Sequence, residues 1–230
     1  LICIFLFANG IPAMKEIGFG NFLSGKMWKP KNEIFGILPM IVGSLYVTAG
    51  AIIFGVPIGI LTAVFMAYYC PKKIYKPLKA ATELLAGIPS VVYGFFGLVV
   101  IVPLIRTIGR DLGFGGNGSS ILTASLLLGM MILPTIIGLT ESSIRAVPPH
   151  YYEGAVALGA THERAIFRVV IPAAKSGVIA AIVLGVGRAI GETMAVIMVA
   201  GNQARMPAGI FRGVRTLTAN VVIEMGYATG

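Results

Sequence analysis

The chain has 230 residues, of which 57% are hydrophobic and only 12% charged, against about 25% charged in a typical soluble domain; this excludes a soluble globular protein and predicts an all-α polytopic membrane protein. A formal net charge of +9 would suggest nucleic acid as the partner of a soluble protein, but here the basic residues flank apolar runs, so membrane lipid and topology account for them and no nucleic acid is expected. Cys3 and Cys70 lack CxxC spacing, which excludes a disulfide framework and a cysteine metal site.

The opening run, residues 1–8, is far shorter than the ~20 residues that cross a bilayer. It reads as the remnant of a first transmembrane span, followed by a connector over 9–33; a signal peptide fits less well, because no basic leader precedes the run. Ile37 to Tyr69 is too long for one perpendicular span and too short for two with a turn, so it predicts one tilted helix kinked at Pro57. Leu78 to Ile105, containing Pro89, reads as the second span. Ile121 to about Ile144, with Pro134, reads as the third, and about Phe167 to Ala200 as the fourth. Prolines are tolerated in such helices where neighbours satisfy the freed carbonyls.

The stretch PKKIYKP packs Lys72, Lys73 and Lys76 together, with Lys79 just after, which argues that this connector is cytoplasmic and puts the connector 9–33 on the opposite side, the periplasmic side if the chain is bacterial. The opposite connectors are basic too, through Lys15, Lys26, Lys29 and Lys31 and through Arg205, Arg212 and Arg215. Only the density of the lysine loop decides the orientation. GFGGNGSS satisfies GxGxxG through Gly113, Gly115 and Gly118, but no strand precedes it, so a flexible turn is the better reading. The sequence has no GxxxxGK[ST] stretch, which leaves any ATP hydrolysis to another chain.

Between the third and fourth spans lies a polar insert. Pro148 and Pro149 stop the preceding helix, and a short helix from about Tyr151 to Leu158 ends at Gly159. Tyr151, Ala155 and Leu158 fall three and four apart and give it one apolar face. By pattern alone the helix rests on lipid headgroups.

Lys175, Arg188 and Glu192 sit inside an apolar run, which is costly enough to require a reason. Arg188 and Glu192 are four apart, hence on one helix face and able to pair, as a packing clamp or as part of an ion path. Arginine suits phosphate because its planar fork of donors stays charged. Thr193 adds a hydroxyl on an adjacent face. Glu83 can reach water beside Lys79, and Lys175 can reach the interface. Ser90 can satisfy the carbonyl freed by Pro89, while Glu141 and Arg145 read as a surface helix pair. Neither His150 nor His162 has ligands at metal spacing, and no nucleophile–base pattern occurs, so neither a metal nor a catalytic residue is expected.

Glu153, Gly154 and Ala155, then Gly159 three residues on, then Val169 to Pro172 nine residues further, resemble the EAA motif of bacterial ABC importer permeases. AGIPSVVYGFFGL at 86–98, GRAIGETMAV at 187–196 and TLTANVVIEMG at 216–226 are similar to the phosphate-importer permeases, and within them to the C-type subunit. The resemblance implies a type I ABC importer permease fold over 34–230, with four complete spans of six and the last span lacking. It implies a coupling helix at about 150–160 that docks on the ATPase through Tyr152, Glu153, Gly154, Ala155, Leu158 and Gly159, with Pro172 angling the next helix away. It makes Arg188, Glu192 and Thr193 pathway residues, with Glu83 and Ser90 as further candidates. The implied partners are a second similar permease, a cytoplasmic ATPase dimer holding ATP and Mg, and a periplasmic phosphate-binding protein meeting 202–230. This chain itself binds no cofactor, and the setting is the bacterial inner membrane. The alternatives are another oxyanion as cargo, or an ion-coupled secondary transporter.

Overall fold

Long, mostly apolar runs become the long helices; one stops before Pro71 and the paired Lys72 and Lys73, another before Pro148. The computed structural model describes residues 2–226. Leu1, and 227–230 at the end of the expected binding-protein surface, lie outside the described residues. In chain order the elements begin with α1 (Ile2–Ile17), α2 (Phe19–Ser24) and a hairpin of β1 (Trp28–Lys29) and β2 (Ile34–Phe35) around a 3₁₀ turn. Then follow α3 (Leu38–Val64), whose last turn Phe65–Tyr69 is π-helical, and α4 (Lys72–Gly87). Next come α5 (Ser90–Phe96), a π turn and α6 (Val102–Asp111), forming one rod, and α7 (Ile121–Arg145). The remainder is α8 (Pro149–Ala157), α9 (His162–Ala165), a π turn Ile166–Val170, α10 (Ile171–Ala173), α11 (Lys175–Gly191), α12 (Met194–Val199) and α13 (Leu217–Met225).

Among the described residues, Leu38–Tyr69, Ser90–Asp111 and Ile121–Arg145 are long and apolar enough to cross a membrane. The pair His162–Ala173 and Lys175–Gly191, bent by 70°, makes a fourth if taken as one span. Two expected spans therefore change. The second starts at Ser90 instead of Leu78, because Pro89 cannot donate to the preceding turn and residues 72–87 fold as a separate amphipathic helix. The fourth bends at Ala174 and its helix ends at Gly191, well before Ala200. The connector expected over 9–33 is helical through Ile17 and again over Phe19–Ser24.

The chain divides into two compact units. In the one formed by 48–93 and 125–192, α3 approaches α7 along a row of glycines. A Cβ on Gly55 would stand 2.9 Å from the Gly129 carbonyl, one on Gly59 would stand 2.7 Å from Ile136 Cγ2, and one on Gly50 would strike Ser125. Small residues at such crossings let dispersion contacts and close backbones hold membrane helices together, since lipid supplies no hydrophobic drive. At one end, Val64, Ile144, Ile166, Val170, Ala174 and Val178 form a buried cluster.

In the other unit, 1–47, 94–124 and 193–230, Arg215 is a structural pin and not only a topological charge. It donates to the Asn202 carbonyl at 3.1 Å, to Asn220 Oδ1 at 3.1 Å and to Glu224 Oε1 at 2.7 Å. The Leu217 amide donates to Ser44 Oγ at 2.9 Å, fastening the start of α13 to α3. Gly113, Gly115, Gly116 and Gly118 all have positive φ, so the connector before α7 takes conformations that side chains disfavour.

Candidate functional site

The polar insert folds as a helix between two stops. Pro148 caps α8 and Pro149 occupies its first turn, where the missing amide costs nothing. The helix runs to Ala157, and Gly159 then turns the chain with φ of 86°. Thr161 restarts it, its hydroxyl accepting from the Arg164 amide at 3.3 Å. Leu158 is 91% exposed, and Tyr151 and Glu153 are also exposed. Tyr152, which the resemblance put among the docking residues, points the other way and is half-buried against the end of α3 and α7. An outward apolar ridge and an inward aromatic anchor thus share a helix of barely three turns. Pro172 lies in α10, two residues before the bend at Ala174.

The base of this loop is fixed by Glu141, which is buried instead of lying on the surface as the spacing suggested. Its carboxylate accepts from Tyr75 Oη at 2.7 Å, Lys79 Nζ at 2.8 Å and Arg145 Nε at 2.8 Å. The Arg145 guanidinium also lies 4.8 Å over the Tyr75 ring. Hydrogen bonding to this carboxylate is the main reason both Tyr75 and Lys79 are held above their ordinary pKa ranges. Four side chains therefore fasten α4 to the end of α7. Only the Glu141–Arg145 half was visible as a sequence pair; Tyr75 and Lys79 come from more than sixty residues away.

Arg188 sits near the end of α11 and donates from Nη1 to Thr135 Oγ1 at 3.2 Å. With Ser176 and Gly187 these two residues line an open groove of about 730 Å³ whose remaining walls are apolar, including Ile179 and Val183. One guanidinium and two hydroxyls in an apolar wall can hold an anion weakly, by charge and by directed donors. Thr135 was not legible, because its partner lies 53 residues on.

The expected Arg188–Glu192 helix face is not formed. α11 ends at Gly191, and Glu192 is extended with ψ of 132°, which breaks the one-turn relation between the two. Thr193 lies beyond this break, just before α12. Glu83 is exposed on α4, where it adds negative charge beside Lys79. Ser90 opens α5 half-buried, but the Leu85 carbonyl freed by Pro89 accepts from Tyr93 Oη at 3.0 Å. A tyrosine one turn on does what was expected of the serine. Lys175 is exposed at the start of α11, just past the bend.

Residues 55–228 match the family described as binding-protein-dependent transport system inner membrane component. The chain is 37% identical to the phosphate transport system permease protein PstC of Mesorhizobium japonicum, over all of this chain and 74% of that protein. It is 39% identical to the probable ABC transporter permease protein YqgH of Bacillus subtilis, over 99% of this chain and 74% of that one. A solved structure titled as inward-facing conformations of the MetNI methionine ABC transporter shares the fold, with a TM-score of 0.58 at 19% identity, covering 88% of this chain and 84% of that one. The fold is that of the type I ABC importer permeases. A transport subunit and not an enzyme, the chain belongs to the family of binding-protein-dependent transport system inner membrane components.

Proposed function

We propose that this chain is a permease subunit of an ATP-driven phosphate importer in the bacterial inner membrane. It forms part of the translocation pathway and takes its energy from a separate cytoplasmic ATPase dimer, which holds ATP and Mg. The observation that carries the coupling role is the loop after α7, where an EAA-spaced segment folds as its own short helix and presents Leu158 and Glu153 outward. Leu158 fills a groove of the ATPase, Glu153 pairs with a basic side chain there, and Gly159 lets the chain turn back toward the membrane. Phosphate as cargo is supported by the relatives named as phosphate transport permeases. It is further supported by the Arg188 guanidinium in its open groove.

In this reading Arg188 attracts the anion, and Thr135 keeps one guanidinium N–H directed so that the fork stays open toward the groove. Glu192 and Thr193, at the break between α11 and α12, form the adjoining part of the path. Glu83 and Ser90 are further candidates for the path, outside the groove that Arg188 lines. Weak binding serves transport, because a tightly held ion would not leave. A second similar permease completes the pathway, and a periplasmic binding protein delivers phosphate to a surface that includes residues 202–226.

Uptake of labelled phosphate in cells lacking their own high-affinity importer tests this, with the full-length gene and its partner genes supplied. The wild type restores ATP-dependent uptake, and Arg188→Gln at matched membrane levels lowers it at least tenfold, about the value of one charge-assisted bond. Uptake that survives ATP depletion would instead favour an ion-coupled carrier. Sulfate competing as well as phosphate would make the cargo another oxyanion.

A further inference from the structure

The inward side of α8 meets the end of the first span through four rings. Tyr152 Oη and His162 Nδ1 are 2.7 Å apart. The Tyr68 ring lies 5.7 Å from that of Tyr152 and 6.3 Å from the imidazole, and the Tyr69 ring stands edge-on to the imidazole at 5.0 Å. Tyr68 and Tyr152 also pack on the buried cluster of Val64, Ile144, Ile166 and Val170. The imidazole meets Tyr68 and Tyr69 edge-to-face and Tyr68 meets Tyr152 at a tilt; such contacts are directional, so a shift of one ring disturbs the others.

Tyr68 and Tyr69 close the π turn Phe65–Tyr69, and that turn is not held by its own backbone alone. The Cys70 amide donates to the Phe65 carbonyl at 2.8 Å, one residue further back than in an α-helix. The Met66 carbonyl would take its donor from the amide five residues on, but that residue is Pro71 and has none. Arg145 Nη2 supplies the bond at 2.9 Å. One neighbour thus holds the turn by a carbonyl, and the other holds it by two aromatic rings.

We infer that Tyr152 and His162 are a positioning pair that carries displacement of α8 to the π turn at the end of α3. They thereby set how much transport follows from each ATPase cycle. The inference rests on the coupling role proposed above, but not on the identity of the cargo. Motion of α8 reaches α3 through this pair because the imidazole is held on one side by the Tyr152 hydroxyl and flanked on another by Tyr69. The outward residues Glu153 and Leu158 are not part of the cluster, so the pair can be altered with the docking face intact.

The test uses the full-length chain assembled with its second permease, ATPase and binding protein in proteoliposomes. Two quantities are read: phosphate delivered per ATP hydrolysed, and the alkylation rate of Cys70, at the end of the π turn, with and without ATP, followed by mass spectrometry. In the wild type, ATP changes the Cys70 rate. Tyr152→Phe and His162→Gln keep the ATPase bound and hydrolysing but lower phosphate per ATP about fivefold, the value of one lost hydrogen bond, and shrink the Cys70 response. His162→Asn, whose amide occupies the Nδ1 position but lacks the ring, recovers part of what His162→Gln loses in both readouts. Unchanged phosphate per ATP with an unchanged Cys70 response in the variants overturns the inference, and so does a loss of both only in step with loss of bound ATPase. A wild type whose Cys70 ignores ATP overturns it as well. A Cys70 response that depends on the pair, in a wild type that delivers no phosphate, supports the pair and removes only phosphate as cargo.

Discussion

Glu141 is 1% exposed, while Lys79 and Arg145 are 33% and 46% exposed in their side chains. Removing the carboxylate leaves two cations facing each other beside a buried amide, yet both cations can turn to water. Glu141→Gln is therefore expected to cost about 2 kcal/mol, less than the 3–5 kcal/mol of a fully buried pair, seen as a lower melting temperature in detergent. The pH dependence has a definite sign. Lys79 and Tyr75 titrate above their ordinary values in the folded chain. Their contribution is thus complete below about pH 10 and is lost as pH rises through the folded values. The wild-type melting temperature should hold through neutral pH and fall in that alkaline range, and Glu141→Gln should flatten the fall. Sequence spacing finds pairs within one helix, which is why Glu141–Arg145 was legible. Tyr75, Lys79, Thr135 and the Tyr93 bond to Leu85 needed the tertiary structure.

At the scale of elements, Leu38–Tyr69 and Ile121–Arg145 were legible almost to the residue, because long apolar runs ending in charge or proline leave the backbone few choices. The second was misplaced for the opposite reason. Leu78, Leu84, Leu85 and Ile88 lead into the apolar run after Pro89, so the sequence reads as one segment, whereas the charged face of α4 and the missing proline amide enforce the break. The fourth was hidden in the same way, since the bend at Ala174 and the break at Glu192 fall in residues of ordinary composition. In the loop after α7 the stops at Pro148 and Gly159 were legible, but the inward turn of Tyr152 was not. Gly159 gives the test at this scale. With φ of 86°, Gly159→Ala should strain the turn by about 1–2 kcal/mol and reduce the ATPase recovered with the purified complex. Gly159→Asn should be milder, because asparagine tolerates left-handed backbone. Equal recovery in all three proteins would mean that the turn does not set the docking face.

For the whole molecule, composition identified a membrane protein and the apolar runs a multi-pass helical one, and a shared family and fold support the same architecture. Charge counting did not settle orientation, and part of the reason is now visible: Arg215 is engaged by Asn202, Asn220 and Glu224 and so serves packing as well as topology. Cys70 offers a direct measurement. It follows α3 immediately before the lysine-rich α4, so a cytoplasmic location predicts no labelling by an impermeant thiol reagent in intact cells and labelling once the cells are opened. Labelling in intact cells would invert the whole topology, and the loop after α7 would then lie on the wrong side for the proposed ATPase.

The 70° bend at Ala174 also fixes an amplitude. From Ala173 out to His162 the arm is roughly 18 Å long at helical rise, so a 10° rotation about the bend moves its tip by about 3 Å. Conversely, about 1 Å of slack where the tip meets Tyr152 would absorb about 3° of that rotation, so under the proposed coupling the tightness of one contact sets the smallest swing of the arm that can be passed on.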